Sequence, residues 1–486
     1  MYDACNPLLR TDSYKFSHWL QYPPGTEETF FYVEARDYDA QLFPEGMVPS
    51  GTVFFGLQMF LKECLSLPIL EVDIEDAAEL AEEHGEPFNK TGWKWIVDNC
   101  KGYLPLKIRA VPEGFVVPLH NVLATVEATA PEAFWLPSWI ETQVVRAIWY
   151  GTTVATISWH AKKVILENLL KTSDDPFSEI DFKLHDFGAR GVSSGSSAGM
   201  GGAAHLVNFL GSDTLEGVEA LNRYYAAYTL PAFSIPAAEH STITAWGREH
   251  QVDAYRNMLK QFAKPGKMVA VVSDSYDIFE AVRDIWCGTL LEEVKASGAT
   301  VVIRPDSGDP TETVLKILKI MEQSIGFETN TKGYKVLPPY FRLIQGDGVN
   351  LNSIKKILEA MRLEGYSGSN IAFGMGGALL QKVNRDTFHF AYKLSWAKVN
   401  GVGRDCCKSP VDQPLKKSKS GRLSLAYSGP EFLEFRTVQE EEHHMSVLQD
   451  AYYYAPGSVA PTLRDISLQQ IRLSAGHALK RELGVS

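Results

Sequence analysis

Long hydrophobic runs are absent from this sequence of 486 residues. No stretch of about 18 apolar residues occurs, and that absence excludes a transmembrane helix. The N-terminal segment MYDACNPLLRTDSYKFSH also lacks the charged and then apolar pattern of a secretory signal, so we expect no export by that route. Together these absences predict a cytoplasmic protein that has no membrane partner.

Cysteine is scarce, and positive charge is in deficit. The 6 cysteines have no zinc-type spacing, and the adjacent Cys406 and Cys407 make a poor disulfide, so we expect reduced thiols. Lys and Arg number 47 against 59 Asp and Glu, which leaves a formal net charge of −12. That balance argues against a general nucleic-acid binder. The hydrophobic content of 45% and charged content of 22% are typical of a globular protein with one large or two ordinary domains.

Four short apolar stretches in the second half of the chain organise the rest. Each has the length of a strand and ends in charged or glycine-rich residues, and segments with helical periodicity (311–323 and 350–362) separate them. Buried strands that alternate with amphipathic helices predict βα units and a parallel sheet. The stretches are MVAVVSDS (268–275), ATVVIRPDSG (299–308), YFRLIQGDG (340–348) and NIAFGMGG (370–377).

The ends of these strands carry polar residues and glycines. In such folds ligands bind at the carboxyl ends of the strands. We therefore expect an active-site rim there, formed by Asp274, Arg304, Asp306, Gly346, Asp347, Gly376 and Gly377.

The first 130 residues or so follow a different pattern. TFFYVEAR (29–36) and TVFFGL (52–57) are strand-like, and residues 104–127 alternate between apolar and polar. Alternation predicts antiparallel strands with one solvated face. From about residue 135 the pattern becomes helical, and strand- and helix-like pieces of 428–486 could rejoin the first layer.

Two motifs resemble known nucleotide-binding motifs, but neither has the context that such a motif requires. HDFG (185–188) contains the kinase Asp-Phe-Gly, but the other kinase motifs do not accompany it. Gly199, Gly201 and Ala204 match a dinucleotide fingerprint, but no clear strand leads into it. Packing of small helix residues explains that spacing better.

Other motifs favour a phosphate-bearing ligand. IRPDSGDP (303–310) sets an arginine and a carboxylate at a strand end, suited to an anion beside a metal or a cationic carbon. The alternative is a surface salt bridge in a turn. IQGDG (344–348) and FGMGG (373–377) have the form of backbone phosphate cradles. His240 precedes a helix that Ser241 or Thr242 could cap, so it is either near a phosphate or structural.

Taken together, the motifs resemble the nicotinamide phosphoribosyltransferase family of type II phosphoribosyltransferases. The resemblance runs in the family's order from residue 10 to about 425. The motifs that carry it are TDSYKFSHWLQYPP, HDFGARG, GSDT, PAAEHSTITAWG, SDSYDI, IRPDSGDP, IQGDGVN and FGMGGALLQKVNRD.

The resemblance implies a fold and a reaction. The expected fold is an irregular α/β barrel, residues 146–389, with a second α+β domain built from both chain ends, residues 1–145 and 390–486. The expected reaction makes nicotinamide mononucleotide and pyrophosphate from nicotinamide and phosphoribosyl pyrophosphate with Mg²⁺, in NAD salvage. The family couples ATP hydrolysis to it and works as a homodimer whose active sites lie at the interface.

The resemblance also assigns residues to the base and the ribose. Phe187 stacks on one face of the pyridine ring and the partner's Tyr14 on the other, while Asp213 accepts the carboxamide NH₂. Arg304 and Asp306 line the ribose and the ring. The 5-phosphate region of the ribose is held by Gly346, Asp347, Gly376 and Gly377.

The remaining assignments concern phosphate and metal. His240 matches the histidine that the family phosphorylates, and Asp306 is our candidate metal ligand, with Mg²⁺ held mostly through pyrophosphate. The phosphate ligands are Arg190, the partner's Arg385 and Arg36, and additionally Lys393 and Lys408.

The chemistry is consistent with these assignments. The ring nitrogen of nicotinamide already has a free lone pair, so no general base is needed. The barrier lies in expelling pyrophosphate from an oxocarbenium-like ribose, which carboxylates such as Asp306, with Asp274 close by, would stabilise. Asp213 accepts from an amide but repels a carboxylate, which favours nicotinamide over nicotinate.

Alternatives remain open at this point. The chain could be the sister nicotinate enzyme or a non-catalytic binding protein on the same fold. An aldolase-type barrel would need a Schiff-base lysine, which the four strand ends lack. Two departures from the family stand out. Ala189 replaces a tyrosine of better-known vertebrate members, and Met375 lies where a small residue is expected and should narrow that cradle.

Overall fold

A parallel sheet and an antiparallel sheet share this chain. The structure is a computed structural model that describes residues 6–227, 229–409, 418–428, 434–442 and 445–485. The strands are β1 (Thr26–Glu34), β2 (Thr52–Val53), β3 (Leu106–Ala110), β4 (Val116–Val117), β5 (Val122–Ala128), β6 (Leu184–Asp186), β7 (Gly211–Ser212), β8 (Met268–Val272), β9 (Thr300–Arg304), β10 (Glu328–Thr329), β11 (Lys335–Val336), β12 (Phe341–Gln345), β13 (Ile371–Met375), β14 (Ala391–Val399), β15 (Val402–Asp405), β16 (Leu423–Ser428), β17 (Glu434–Gln439), β18 (Gln449–Tyr453) and β19 (Thr462–Leu463).

Helices connect and cover these strands. They are α1 (His18–Gln21), α2 (Leu57–Phe60), α3 (Glu71–His84), α4 (Lys90–Cys100), α5 (Leu136–Trp139), α6 (Glu141–Thr172), α7 (Pro176–Glu179), α8 (Gly195–His205), α9 (Leu215–Tyr224), α10 (His240–Thr244), α11 (Gln251–Phe262), α12 (Ile278–Glu280), α13 (Leu291–Ser297), α14 (Pro310–Ile325), α15 (Leu351–Leu363), α16 (Gly377–Leu380) and α17 (Leu468–Leu483). None of the helices in the described ranges is long and apolar enough to cross a membrane.

The parallel sheet has six strands in the order β7-β6-β13-β12-β9-β8. Its two edges pair with the same short segment. Phe233 bridges to Gly211 of β7, and Ala237 bridges to Ala270 of β8, both in parallel orientation. This segment closes the sheet into the irregular barrel that we predicted. A small apolar cluster of Ala270, Val302 and Ile344 is separate from the main core.

The four apolar stretches are confirmed as strands β8, β9, β12 and β13, and the two predicted helical segments, 311–323 and 350–362, are confirmed as α14 and α15. Helices α12 and α13 lie between β8 and β9. Strands β6 and β7 were not predicted. They are 3 and 2 residues long and carry no apolar run, so the pattern of a buried strand is missing from them.

The antiparallel sheet has the order β15-β14-β1-β5-β3-β18-β19. Its strands come from both ends of the chain, and residues 104–127 supply β3 and β5, as predicted. Residues 52–57 were predicted as one strand, but only β2 forms there. Gly56 adopts a φ of 107°, which ends the extended backbone, and the buried helix α2 follows at once.

The main apolar core runs without interruption through both halves, so the residue bounds of the two domains stay a prediction. Helix α6 spans 32 residues and is buried along most of its length. Beside it, α8 packs closely on α9, where a Cβ on Gly202 would lie 3.0 Å from the Cα of Gly217. This contact requires a small residue at Gly202, and Gly201 is enclosed by Tyr150 and Leu380 in the same way, so both glycines serve helix packing.

Candidate active site

The carboxyl ends of the barrel strands form one mouth, and most of the predicted residues follow these ends. The segment that closes the barrel leads into α10 and supplies His240. The residues at the mouth are Phe187, Asp213, His240, Asp274, Arg304, Asp306, Gly346, Asp347, Gly376 and Gly377.

Arg304 and Asp306 form a forked pair. Arg304 donates from Nε and Nη2 to the same oxygen, Asp306 Oδ1, at 3.0 and 2.7 Å. The guanidinium carbon lies 5.3 Å from the centre of the Phe187 ring. Gly346 leaves room for this arginine, since a Cβ there would lie 3.1 Å from Nε. The pair of β9 is thus held in place by groups from β6 and β12.

His240 lies between two carboxylates. Its Nε2 is 3.0 Å from Asp274 Oδ1, and its Nδ1 is 4.0 Å from Asp306 Oδ2. Asp274 is nearly buried, with 4% of its side chain exposed, whereas the imidazole is 47% exposed. A carboxylate oxygen accepts, so the short contact is one in which Nε2–H donates to Asp274, and Nδ1 is left on the side of Asp306.

The cap of α10 differs from our prediction. The helix begins at His240 itself, and Glu239 is the N-cap residue. Thr242 contributes from inside the first turn, where its hydroxyl accepts from the Glu239 N–H at 3.3 Å. Neither Ser241 nor Thr242 is therefore the cap, although Thr242 takes part in a capping box.

Phe187 lies flat against the end of β13. Its N–H donates to the Met375 carbonyl at 3.0 Å, and its ring covers Gly374. Met375 itself is buried in the main apolar core. Our expectation that its side chain narrows the phosphate cradle was therefore wrong, because that side chain is taken up by the core.

Asp213 is exposed at the end of β7 and receives a hydrogen bond from the Ser234 hydroxyl. Its backbone N–H donates to the Asp186 carbonyl at 3.0 Å. Burial raises the pKa of Asp186 to about 6, while the Gly188 N–H, at 2.7 Å from Oδ1, opposes that shift. Sequence reasoning missed Asp186 and Ser234. Only the position of Asp186 beside Phe187 could have indicated the first, and nothing marked the second.

The predicted cations form a separate group at β1 and β14. Burial lowers the pKa of Lys393, and the charges of Arg36, Lys408 and Arg385 lower it further, against Glu141. Arg36 donates from Nε to Glu34 at 2.6 Å. Its Nη2 is buried, and no hydrogen-bond acceptor for it occurs in the described ranges. Closely spaced cations with a spare buried donor are suited to an anion.

Tyr14 is connected to this cation group through its sequence neighbour Lys15, whose partner Glu141 interacts with Lys393. The Tyr14 ring is 53% exposed and lies edge-on to His18, with ring centres 5.1 Å apart. Lys15 is buried and binds Glu141 at 2.6 Å. Arg190 does not belong to this cation group. It is exposed on the turn directly after Phe187.

Within one chain no direct polar contact joins the two groups. Across the part of the chain that the structure describes, no hydrogen bond or ion pair joins the cation group to the barrel mouth. A cavity of about 930 Å³ is lined by Arg385 of the cation group and by Glu141. Its walls also include Ser193 and Ser194, which follow Arg190 in the sequence. One chain therefore brings together the base and ribose residues but not the whole phosphate set.

A metal ion fits this site only in part. Among the described residues no group of three His, Cys, Asp or Glu side chains is arranged to hold one. Asp306 has one oxygen engaged by Arg304 and the other turned toward His240. Asp306 therefore offers a single carboxylate outside any three-ligand protein site in the described ranges, and its role toward Mg²⁺ stays a prediction.

Two family models match the sequence. Residues 182–454 match the nicotinate phosphoribosyltransferase family, and residues 6–108 match the N-terminal domain of nicotinamide phosphoribosyltransferase. A nicotinamide phosphoribosyltransferase of Xanthomonas campestris pv. campestris is 57% identical over 420 residues, 86% of this chain and 87% of that protein. Another, of Acinetobacter baylyi, is 30% identical over 498 residues, 95% and 96% of the two chains.

Solved structures share the fold at low identity. Nicotinate-nucleotide pyrophosphorylase from Pyrococcus furiosus has a TM-score of 0.60 and 12% identity, covering 100% of this chain and 98% of its own. Human nicotinic acid phosphoribosyltransferase has a TM-score of 0.53 and 15% identity, covering 97% and 93%. The barrel and the second domain of this chain thus have the architecture of type II phosphoribosyltransferases.

Proposed function

This chain belongs to the nicotinamide phosphoribosyltransferase branch of the nicotinate phosphoribosyltransferase family, and we propose that its barrel mouth carries out that reaction. The reaction joins nicotinamide to 5-phosphoribosyl 1-pyrophosphate and releases nicotinamide mononucleotide and pyrophosphate. The observation that carries the proposal is the set of contacts that link Phe187, Arg304, Asp306 and His240 at the strand ends.

In this proposal, the positioning of the substrates and the electrostatic stabilisation of the transition state lower the barrier. The pyridine nitrogen forms its bond to C1 of the ribose while the bond from C1 to the pyrophosphate oxygen breaks. Positive charge develops on C1, and the carboxylate of Asp306 is the group we assign to stabilise it. Arg304 keeps Asp306 in place and presents its remaining N–H groups to the substrate. Mg²⁺, bound through pyrophosphate, would neutralise charge on the leaving group.

Asp213 selects the base in this proposal. Its carboxylate accepts from the carboxamide NH₂ of nicotinamide, and Ser234 holds one of its oxygens. Nicotinate would bring a second carboxylate to the same place. A mispaired charge of this kind costs on the order of a few kcal/mol, which is enough for discrimination by more than tenfold.

ATP coupling is assigned to His240. We assign this step to the neutral imidazole with its proton on Nε2: Nδ1 attacks the γ-phosphorus of ATP, the bond from that phosphorus to the β,γ-bridging oxygen breaks, and ADP leaves. Asp274 holds the Nε2 proton at 3.0 Å and balances the charge that the imidazole acquires. The exposed face of the ring is open to such a phosphoryl donor.

A second copy of the chain completes the phosphate site in this proposal. The cations of the antiparallel layer and Tyr14 lie apart from the mouth of their own barrel. Their charge and the spare donor of Arg36 support a role toward the pyrophosphate of a partner's site. A homodimer with two shared active sites follows.

Turnover with phosphoribosyl pyrophosphate and Mg²⁺ tests the reaction, with nicotinamide and nicotinate assayed side by side. We expect mononucleotide from nicotinamide only, and weaker use of nicotinamide by Asp213→Asn. Glu83→Gln, which removes an exposed carboxylate on α3, is the control and should match the wild type. Equal use of nicotinate by the wild type would contradict the role of Asp213. No product from either base would support a non-catalytic protein.

Mixing two inactive variants tests the shared site. Arg36→Ala removes a cation of the antiparallel layer, and Asp306→Ala removes a residue of the barrel mouth. In a mixed dimer one site carries both lesions and the other none, so random exchange restores about a quarter of the wild-type activity. A mixture as inactive as its parts would show that each chain builds its own site.

A further inference from the structure

Asp186 connects two walls of the base site. Its side-chain Oδ1 accepts from the Gly188 N–H at 2.7 Å, and its backbone carbonyl accepts from the Asp213 N–H at 3.0 Å. The residue is fully buried at the end of β6, which lies between β13 and β7 in the sheet. One residue therefore holds the turn that carries Phe187 and the backbone that carries Asp213.

The turn after Asp186 determines where the Phe187 ring lies. Phe187 donates its N–H to Met375, and its ring covers Gly374. Gly188 is enclosed on its other side, because a Cβ there would lie 2.6 Å from Leu380. The bond from Gly188 to Asp186 closes this turn. Without it, the Gly188 N–H would lose its acceptor in a buried position, and the backbone under Phe187 would shift.

The buried position of Asp186 disfavours the ionised form of its carboxylate, so that form requires a stabilising contact. Burial works against its charge, and the nearby charge of Asp213 does so as well. A charged acceptor, however, makes a stronger hydrogen bond to a backbone N–H than a neutral one does. The contact at 2.7 Å is consistent with such a bond.

We propose that Asp186 is a positioning residue for the pyridine base: it fixes the Phe187 platform with its side chain and the Asp213 acceptor with its backbone carbonyl. The inference rests on the proposed function, because it concerns how the same site holds nicotinamide. Asp186 is not expected to touch the substrate, since it is fully buried beneath these two residues.

Steady-state kinetics with both substrates varied test this role. In Asp186→Ala we expect the KM for nicotinamide to rise about tenfold, with the KM for phosphoribosyl pyrophosphate within about twofold of wild type. Asp186→Asn keeps an acceptor at Oδ1, so its KM for nicotinamide should stay within about threefold of wild type. A role in overall folding would affect both substrates alike and would not be rescued by asparagine.

A second variant, which fills the same buried space, is the control for misfolding. Asp186→Leu removes the acceptor but fills the buried space, and it should show the same selective rise in the KM for nicotinamide. An unchanged KM for nicotinamide in both Asp186→Ala and Asp186→Leu, or an equal rise for both substrates, overturns the inference. Asp213→Asn in the same assay separates the two claims. If it weakens nicotinamide use while the Asp186 variants do not, only the role of Asp186 fails.

Discussion

The ring of Phe187 occupies the space that a side chain on Gly374 would need. A Cβ built on Gly374 would lie 2.0 Å from Cε2 of that ring and 2.1 Å from Cδ2. The proposed stacking platform for the pyridine therefore depends on the absence of a side chain one strand away, on β13. This dependence can be tested without changing any residue that is proposed to touch the substrate.

Gly374→Ala should displace the Phe187 ring and weaken nicotinamide use. We expect the KM for nicotinamide to rise about five- to 150-fold, because overpacking of this kind costs about 1–3 kcal/mol. Kinetics with nicotinamide varied measure the effect. Gly476→Ala is the control, since a Cβ at that position of α17 meets nothing within 4 Å, and it should be neutral or slightly stabilising. A wild-type KM in Gly374→Ala would contradict this view of the platform.

The α8–α9 contact predicts opposite outcomes for two glycines on one helix. At Gly202 a Cβ would lie 3.0 Å from the Cα of Gly217, so alanine should lower the free energy of unfolding by about 2 kcal/mol. At Gly199 the nearest atom would be 3.5 Å away, and alanine should be tolerated or stabilise the helix. Thermal unfolding of both variants measures the difference. Equal melting temperatures would rule out packing as the reason for these glycines.

The barrel was predictable where its strands are buried and long. Strand β9 contains an unbroken apolar run, and the helix after it, α14, includes the predicted residues 311–323. Strands β6 and β7 could not be predicted from the sequence, because they are short and lie beside glycine-rich turns. The segment that closes the barrel at Phe233 and Ala237 makes only isolated bridges, which no periodicity marks.

Much of the candidate site was predictable for a similar reason. Arg304 and Asp306 are two residues apart at a strand end, so local geometry brings them together. His240 and Asp274 meet only through the closing segment. The strand-end pattern indicated Asp274, whereas the role of His240 came from the resemblance. Ser234 and the backbone carbonyl of Asp186 both bind Asp213, which is more than 20 residues away from each of them, and such contacts leave no signal in a single sequence.

His160 predicts a loss of stability at acidic pH. This histidine of α6 is fully buried between aromatic rings, and neither ring nitrogen has a hydrogen-bond partner in the described part of the chain. Burial lowers its pKa from 6.5 to about 4, with the Lys163 charge also lowering it and the Glu482 charge opposing the shift. As the pH falls from 6.5 to 4, the unfolded chain takes up a proton that the native state excludes. Stability is therefore lost in that window, by up to about 3 kcal/mol.

His160→Phe should remove the part of this pH dependence that belongs to His160, because phenylalanine takes up no proton and suits the aromatic surroundings. The buried His205 and the partly buried His185, whose pKa values are also lowered by burial, should keep their own contributions. Denaturant unfolding at a series of pH values from 4 to 7.5 measures it. His205→Phe is the contrasting variant. The His205 ring is bonded to Ser158 and the Gly211 carbonyl at 3.0 and 3.2 Å, so its loss should destabilise the protein near neutral pH. Because burial also lowers the pKa of His205 to about 3, this variant should in addition lose the acid sensitivity that His205 itself contributes. An unchanged slope in His160→Phe would assign the acid sensitivity to other groups.

Asp274→Asn should separate phosphoryl transfer from the condensation itself. An asparagine oxygen still accepts from Nε2 of His240 but brings no negative charge to balance the phosphorylated imidazole. We expect label from γ-phosphate-labelled ATP to appear on the wild type in an acid-labile, base-stable form. The label should fall at least about tenfold in Asp274→Asn, as expected for the loss of a charged partner, and vanish in His240→Ala. Turnover without ATP should be affected far less than ATP-stimulated turnover, since the bond to C1 does not pass through the imidazole. Label that persists in His240→Ala would place the phosphoryl group on another residue and remove His240 from the mechanism.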